Sequence, residues 1–179
     1  MSTDTNKNLN VVSSAGLALG IVFGMAGTFI SQANLRNIAW EIDGLGLIVA
    51  TGLLAIKFSR KGAEAVAAGF LVFAIGESVM LSGMAAGLEG SVPAFAAGTA
   101  LWATAMLLVS IPREFSLWVR IAGVVASALF LLTATEIFWG APLTPLSSPL
   151  PFFAYPFLVL TFAGWIWTLL RENKVAKVD

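Results

Sequence analysis

Among ten acidic residues, Glu77 has the most unusual setting. It falls inside the run 65–81, flanked by Gly76 and Ser78, with apolar residues for a helical turn on either side. A carboxylate in hydrocarbon costs roughly 2.5 kcal/mol or more, so it persists only where protein or water satisfies it. Glu77 is therefore a candidate for binding and releasing a proton. Glu41 and Asp43 stand early in another apolar run, and Glu136 lies near the end of a third beside Thr133 and Thr135. With Arg36 as counter-charge, Asp43, Glu41 and Glu136 would attract cations towards Glu77. This chemistry suits proton-coupled transport or a cation-selective pore. A plainer reading has Arg36 paired with Glu41 or Asp43, Asp43 capping a helix that starts at Gly44, and Glu136 reaching the outer interface.

Other chemistries lack their residues. With no Cys and no His, the chain builds no disulfide, thiol nucleophile, His-ligated haem or ordinary zinc site. Glu41 and Asp43 are two apart and point to different helix faces, which is poor geometry for an acid/base pair. The glycines near the N-terminus lack the preceding strand and the Lys-Ser/Thr ending of phosphate-binding loops. No enzymatic activity, cofactor or metal is expected. Lys plus Arg equals Asp plus Glu at 10 each, so the charge gives no argument for nucleic-acid binding.

The elements that must position these acids follow from composition. The 179 residues are 58% hydrophobic and 11% charged, whereas a soluble domain is about 45–50% apolar and about 25% charged. A bilayer's hydrocarbon layer needs about 20 apolar residues per helical crossing. Six stretches have that length, at 11–33, 37–58, 62–87, 93–111, 116–139 and 151–170. They do not alternate apolar with polar, which excludes the strands of a membrane barrel. The first is too long for a signal-peptide core and is expected to remain as a helix. The expected fold is all-α: a polytopic integral membrane bundle of six transmembrane helices over 11–171, with a short polar tail at 1–10 and a short charged tail at 172–179.

With six crossings, Lys7, Lys57, Arg60, Lys61, Arg113, Arg120, Arg171, Lys174 and Lys177 fall on one side and only Arg36 on the other. Cytoplasmic loops hold the basic residues, so both termini are expected in the cytoplasm, of a bacterial inner membrane. Gly16, Gly20 and Gly24 recur at spacing four with Gly27 beside them, and such stripes let helices approach closely. They would serve as a packing seam within the chain or, alternatively, as a homo-oligomer contact. Trp40, Trp118, Trp139, Tyr155, Trp165 and Trp167 fall near helix ends as interface anchors; Trp102 lies deeper. The proline-rich stretch before the last helix is expected to be a rigid connector, with a lid as the other use.

The expected function is transport of protons or small cations through the outer carboxylates. The alternative is a non-catalytic membrane subunit or scaffold of a larger complex. The expected partners are the lipid bilayer and a second copy or another membrane protein.

Overall fold

The structure, a computed structural model, describes residues 3–175. Six long helices carry the chain: α1 (Thr3–Phe29), α2 (Ala33–Arg60), α3 (Glu64–Gly83), α4 (Val92–Ser110), α5 (Leu117–Phe138) and α6 (Tyr155–Val175). Short turns of helix at Met84–Ala86, Gly87–Gly90 and Phe152–Ala154 complete the connections. Six spans are long and apolar enough to cross a membrane. Exposed side chains such as Leu45, Val49, Leu71, Ile75, Leu131 and Leu132 lie along the middle of helices. A soluble protein rarely leaves so much apolar surface in water.

The helices form a closed ring. Each packs on its sequence neighbour, and α6 returns to α1. Asn10 near the start of α1 meets Leu169, Glu172 and Asn173 near the end of α6. We call this the proximal end and the opposite one the distal end. The middle of the ring is filled by Phe70, Phe73, Phe130, Phe162 and Trp165, all at most 2% exposed.

Glycine makes the seams. A Cβ on Gly16 would strike the Gly46 carbonyl oxygen, one on Gly20 would strike Leu47, and one on Gly27 would strike the Trp40 indole. The stripe of α1 is thus spent on α2 within the chain, in antiparallel register. The third helix uses Gly69 and Gly76 in the same way, against Val109 and Leu101 of α4.

Helix ends explain the short connections. After Arg60, Gly62 adopts φ +74; its N–H bonds the Ser59 carbonyl at 3.0 Å, and the Ala63 N–H bonds that of Phe58 at 3.0 Å. This Schellman pattern satisfies orphan carbonyls and needs a residue without Cβ strain. Arg120 closes α4 by donating to the carbonyls of Ser110 at 2.8 Å and Ile111 at 2.7 Å.

Boundaries differ from the sequence reading by a few residues at several helix ends, α1 closing at Phe29 rather than 33 and α3 at Gly83 rather than 87. The second helix begins at Ala33 rather than 37, because Asn34 and Arg36 are only weak breakers of an otherwise helical run. Where the structure describes the tails expected at 1–10 and 172–179, they continue the helices: α1 starts at Thr3 and α6 runs to Val175. Asn10 and Glu172 are held there by Lys57. Residues 1–2 and 176–179 of those tails lie outside the described residues.

Candidate functional site

At the distal end, α1, α2, α3, α4, α6 and the loop before α6 surround a cavity of ≈ 110 Å³. Its acids are Asp43 and Glu77. Arg36, Trp40, Asp43 and Leu47 recur at spacings of four, three and four along α2, so they share one helix face; all but Arg36 line the cavity. The glycines of α1 leave room for that face. A Cβ on Gly24 would stand 2.8 Å from Asp43 Oδ2.

Glu77 is 4% exposed, and its Oε2 is sealed from solvent without a hydrogen-bond partner. Asp43 is partly buried, and its Oδ1 likewise has no partner. The two carboxyls are near enough to act on each other electrostatically. Buried polar groups are nearly always hydrogen-bonded, so two orphaned acceptors in one cavity mark a place for a donor. Trp102 Nε1 comes close to Glu77, yet the indole N–H completes no hydrogen bond. Its ring is committed to packing: it stacks on Phe73 at 5.2 Å and 6° and meets Phe130 edge-on at 5.1 Å.

The remaining wall is apolar or aromatic, with Met25, Met80, Met84, Phe95, Leu158 and Phe162 among its members. Tyr155 lies within electrostatic reach of both acids and donates its hydroxyl to the Pro145 carbonyl at 2.9 Å. Pro145 itself lines the cavity. The proline-rich loop therefore covers the cavity while being tied to α6.

The four acids do not form one cluster. Asp43 and Glu77 come together, whereas Glu41 and Glu136 are exposed and do not line the cavity. Glu41 is two residues from Asp43 and so faces outwards. Glu136 sits in the last turn of α5, where its backbone carbonyl accepts the Ala141 N–H at 3.0 Å, and α5 contributes nothing to the cavity wall. Arg36 is not the ionic partner expected for Glu41 or Asp43. Its guanidinium lies over the Trp40 ring at 5.6 Å, and among the described residues it makes no salt bridge. Seven residues, about 10 Å along the axis, separate it from Asp43, with Trp40 between them.

Sequence reasoning missed Trp40, Tyr155 and Trp165 as interior groups. Trp40 and Tyr155 line the cavity, and Trp165 is 1% exposed. The helical spacing of Trp40 with Asp43 was the available signal. Trp118, Trp139 and Trp167 are exposed.

A second polar cluster closes the proximal end. Lys57 is buried and donates to Asn10 Oδ1 at 2.7 Å and to Glu172 Oε2 at 2.5 Å, while Lys61 reaches Glu172 Oε1 at 3.1 Å. One glutamate thus fastens α2 to α6, with α1 held through Asn10. Between this clasp and the cavity stand stacked and edge-on rings, from Phe58–Phe70 at 5.5 Å to Phe162–Trp165 at 5.3 Å.

No protein-family model, curated protein or solved structure matches this chain.

Proposed function

We propose that this chain is a polytopic protein of a bacterial cytoplasmic membrane, with both termini cytoplasmic, which carries protons or small cations by way of Asp43 and Glu77. The observation that carries this reading is the Glu77 carboxyl: buried, with its Oε2 lacking a hydrogen-bond partner, and lining a cavity that also holds Asp43. Two ionised carboxyls in an apolar cavity repel each other, and a shared proton or a cation between them relieves that cost.

The distribution of positive charge supports the orientation. Lys57, Arg60, Arg120 and Arg171 fall at the proximal ends of their helices and Lys61 and Arg113 in the proximal turns, with Arg36 at the distal end. Basic residues concentrate on the cytoplasmic side. The aromatic plug and the Lys57–Glu172 clasp favour a carrier over an open pore, because buried rings such as Phe70 and Trp165 fill the middle of the bundle between the distal cavity and the proximal cluster.

The test is flux in proteoliposomes. Wild-type protein is expected to dissipate an imposed proton or monovalent-cation gradient, and Glu77→Gln to abolish that activity. Equal flux in both removes Glu77 from the mechanism.

A further inference from the structure

We infer that the distal cavity is a binding site for a small primary organic ammonium ion, with its N–H groups donated to Asp43 and Glu77 and its short apolar tail lying against α6. This rests on the reading that the two acids hold a positive charge, and it names the class of cation.

The acids call for a hydrogen-bond donor. Asp43 Oδ1 and Glu77 Oε2 are both buried without a partner, and a buried acceptor left unpaired is costly. An –NH3⁺ group brings three donors and a full charge. A quaternary ammonium brings the charge without donors, and an alcohol brings a donor without charge.

The rest of the wall favours an organic over an inorganic ion. Beyond the two acids, its side-chain hydroxyls are those of Thr28, Ser91 and Tyr155; their protons go to the carbonyls of Met25, Leu88 and Pro145, so they can only accept from a guest. The surroundings are otherwise aliphatic, thioether and aromatic. That surface suits a hydrocarbon tail, and the rings of Trp40, Trp102 and Tyr155 add the attraction of aromatic groups for an organic cation. Trp40 already holds one cation, Arg36, over its ring.

Size sets the upper limit. A dry cavity of about 150 Å³ accepts benzene, and drug-sized pockets run from about 300 Å³. At ≈ 110 Å³, this cavity fits an amine of a few carbons. Leu158 and Val159, on the turn of α6 that follows Tyr155, line it and would meet the tail.

The experiment measures binding of n-butylammonium to the full chain in lipid nanodiscs by calorimetry, with n-butanol, tetramethylammonium and sodium as comparison ligands. Saturable binding of n-butylammonium is expected, with no saturable n-butanol binding and no displacement by sodium. Tetramethylammonium should bind more weakly. Asp43→Asn and Glu77→Gln should each weaken n-butylammonium binding by about 30-fold or more, and Glu136→Gln should not. Val159→Phe keeps both acids and narrows the tail space; it should weaken n-butylammonium and spare methylammonium.

Equal binding of n-butanol, tighter binding of tetramethylammonium, displacement by sodium, or indifference to both acid substitutions overturns the inference. So does a Val159→Phe protein that binds n-butylammonium unchanged. Glu77-dependent proton flux without n-butylammonium binding overturns this inference alone. Acid-dependent n-butylammonium binding without any flux upholds the site and overturns carriage.

Discussion

The carboxylate of Asp43 rests against Gly24: a Cβ built on that glycine would stand 2.8 Å from Asp43 Oδ2. The glycine stripe of α1 therefore does two things along its length. Near the proximal end it lets backbones touch, and near the distal end it gives the candidate site its room.

Substitutions along the stripe should separate these effects. In Gly16→Ala the new methyl meets the Gly46 carbonyl oxygen, a backbone atom that cannot step aside, and a loss of about 1–3 kcal/mol is expected. In Gly24→Ala the obstacle is the end of the Asp43 side chain. That protein should stay within about 1 kcal/mol of wild type while its flux falls. Gly52→Ala, with nothing within 4 Å of the new methyl, should gain about 0.5–1 kcal/mol from helix propensity. Thermal unfolding in one detergent ranks the three.

Flux should sort the four acids by position. Glu41→Gln and Glu136→Gln alter exposed side chains outside the cavity and should leave proteoliposome flux within about twofold of wild type, a difference near the noise expected of surface changes. Asp43→Asn should fall with Glu77→Gln. A loss in Glu136→Gln as deep as in Glu77→Gln would place the pathway elsewhere.

The proximal clasp should respond asymmetrically. Glu172→Ala leaves the Lys57 ammonium buried with Asn10 as its remaining acceptor. Removing one partner of a buried ion pair costs about 3–5 kcal/mol, but the Glu172 side chain is 38% exposed, so a loss of roughly 1–3 kcal/mol is expected after allowing for solvent screening. Adding Lys57→Met in that background removes the stranded charge and should recover most of the loss. Chemical denaturation of the single and double variants measures both.

The covering loop has its own handle. Tyr155→Phe removes the hydrogen bond to the Pro145 carbonyl at a cost of about 0.5–1.5 kcal/mol. Limited proteolysis between 140 and 151 should become faster, with the rest of the chain unaffected. Unchanged cleavage would show that the loop is held by packing alone.

Much of the fold was legible because hydrocarbon length and basic turns are strong signals. The run around Phe70 and the turn at Lys61-Gly62 could be placed without knowing what they touch. The site was legible only in part. Glu77 stood out by cost alone, but the sequence could not say which acid faces it. Asp43 and Glu41 differ by two residues, and only the rotation of α2 decides that one enters the cavity and the other leaves it. Charge alone points Arg36 at a carboxylate, whereas the helix puts the Trp40 ring one turn away under its guanidinium. The sequence marks Tyr155 and Trp165 only as aromatic residues near helix ends, a signal that is the same whether the helix turns the ring outwards to an interface or inwards.

The Gly62 turn leaves α2 and α3 almost no slack, so the two helices behave as a single hairpin carrying both Asp43 and Glu77. A rearrangement that admits or releases a guest cannot easily part the acids from each other by hinging within that hairpin. The part free to give is the loop that one phenol ties to α6, and the pair of acids would stay together as a fixed cartridge while that loop moved.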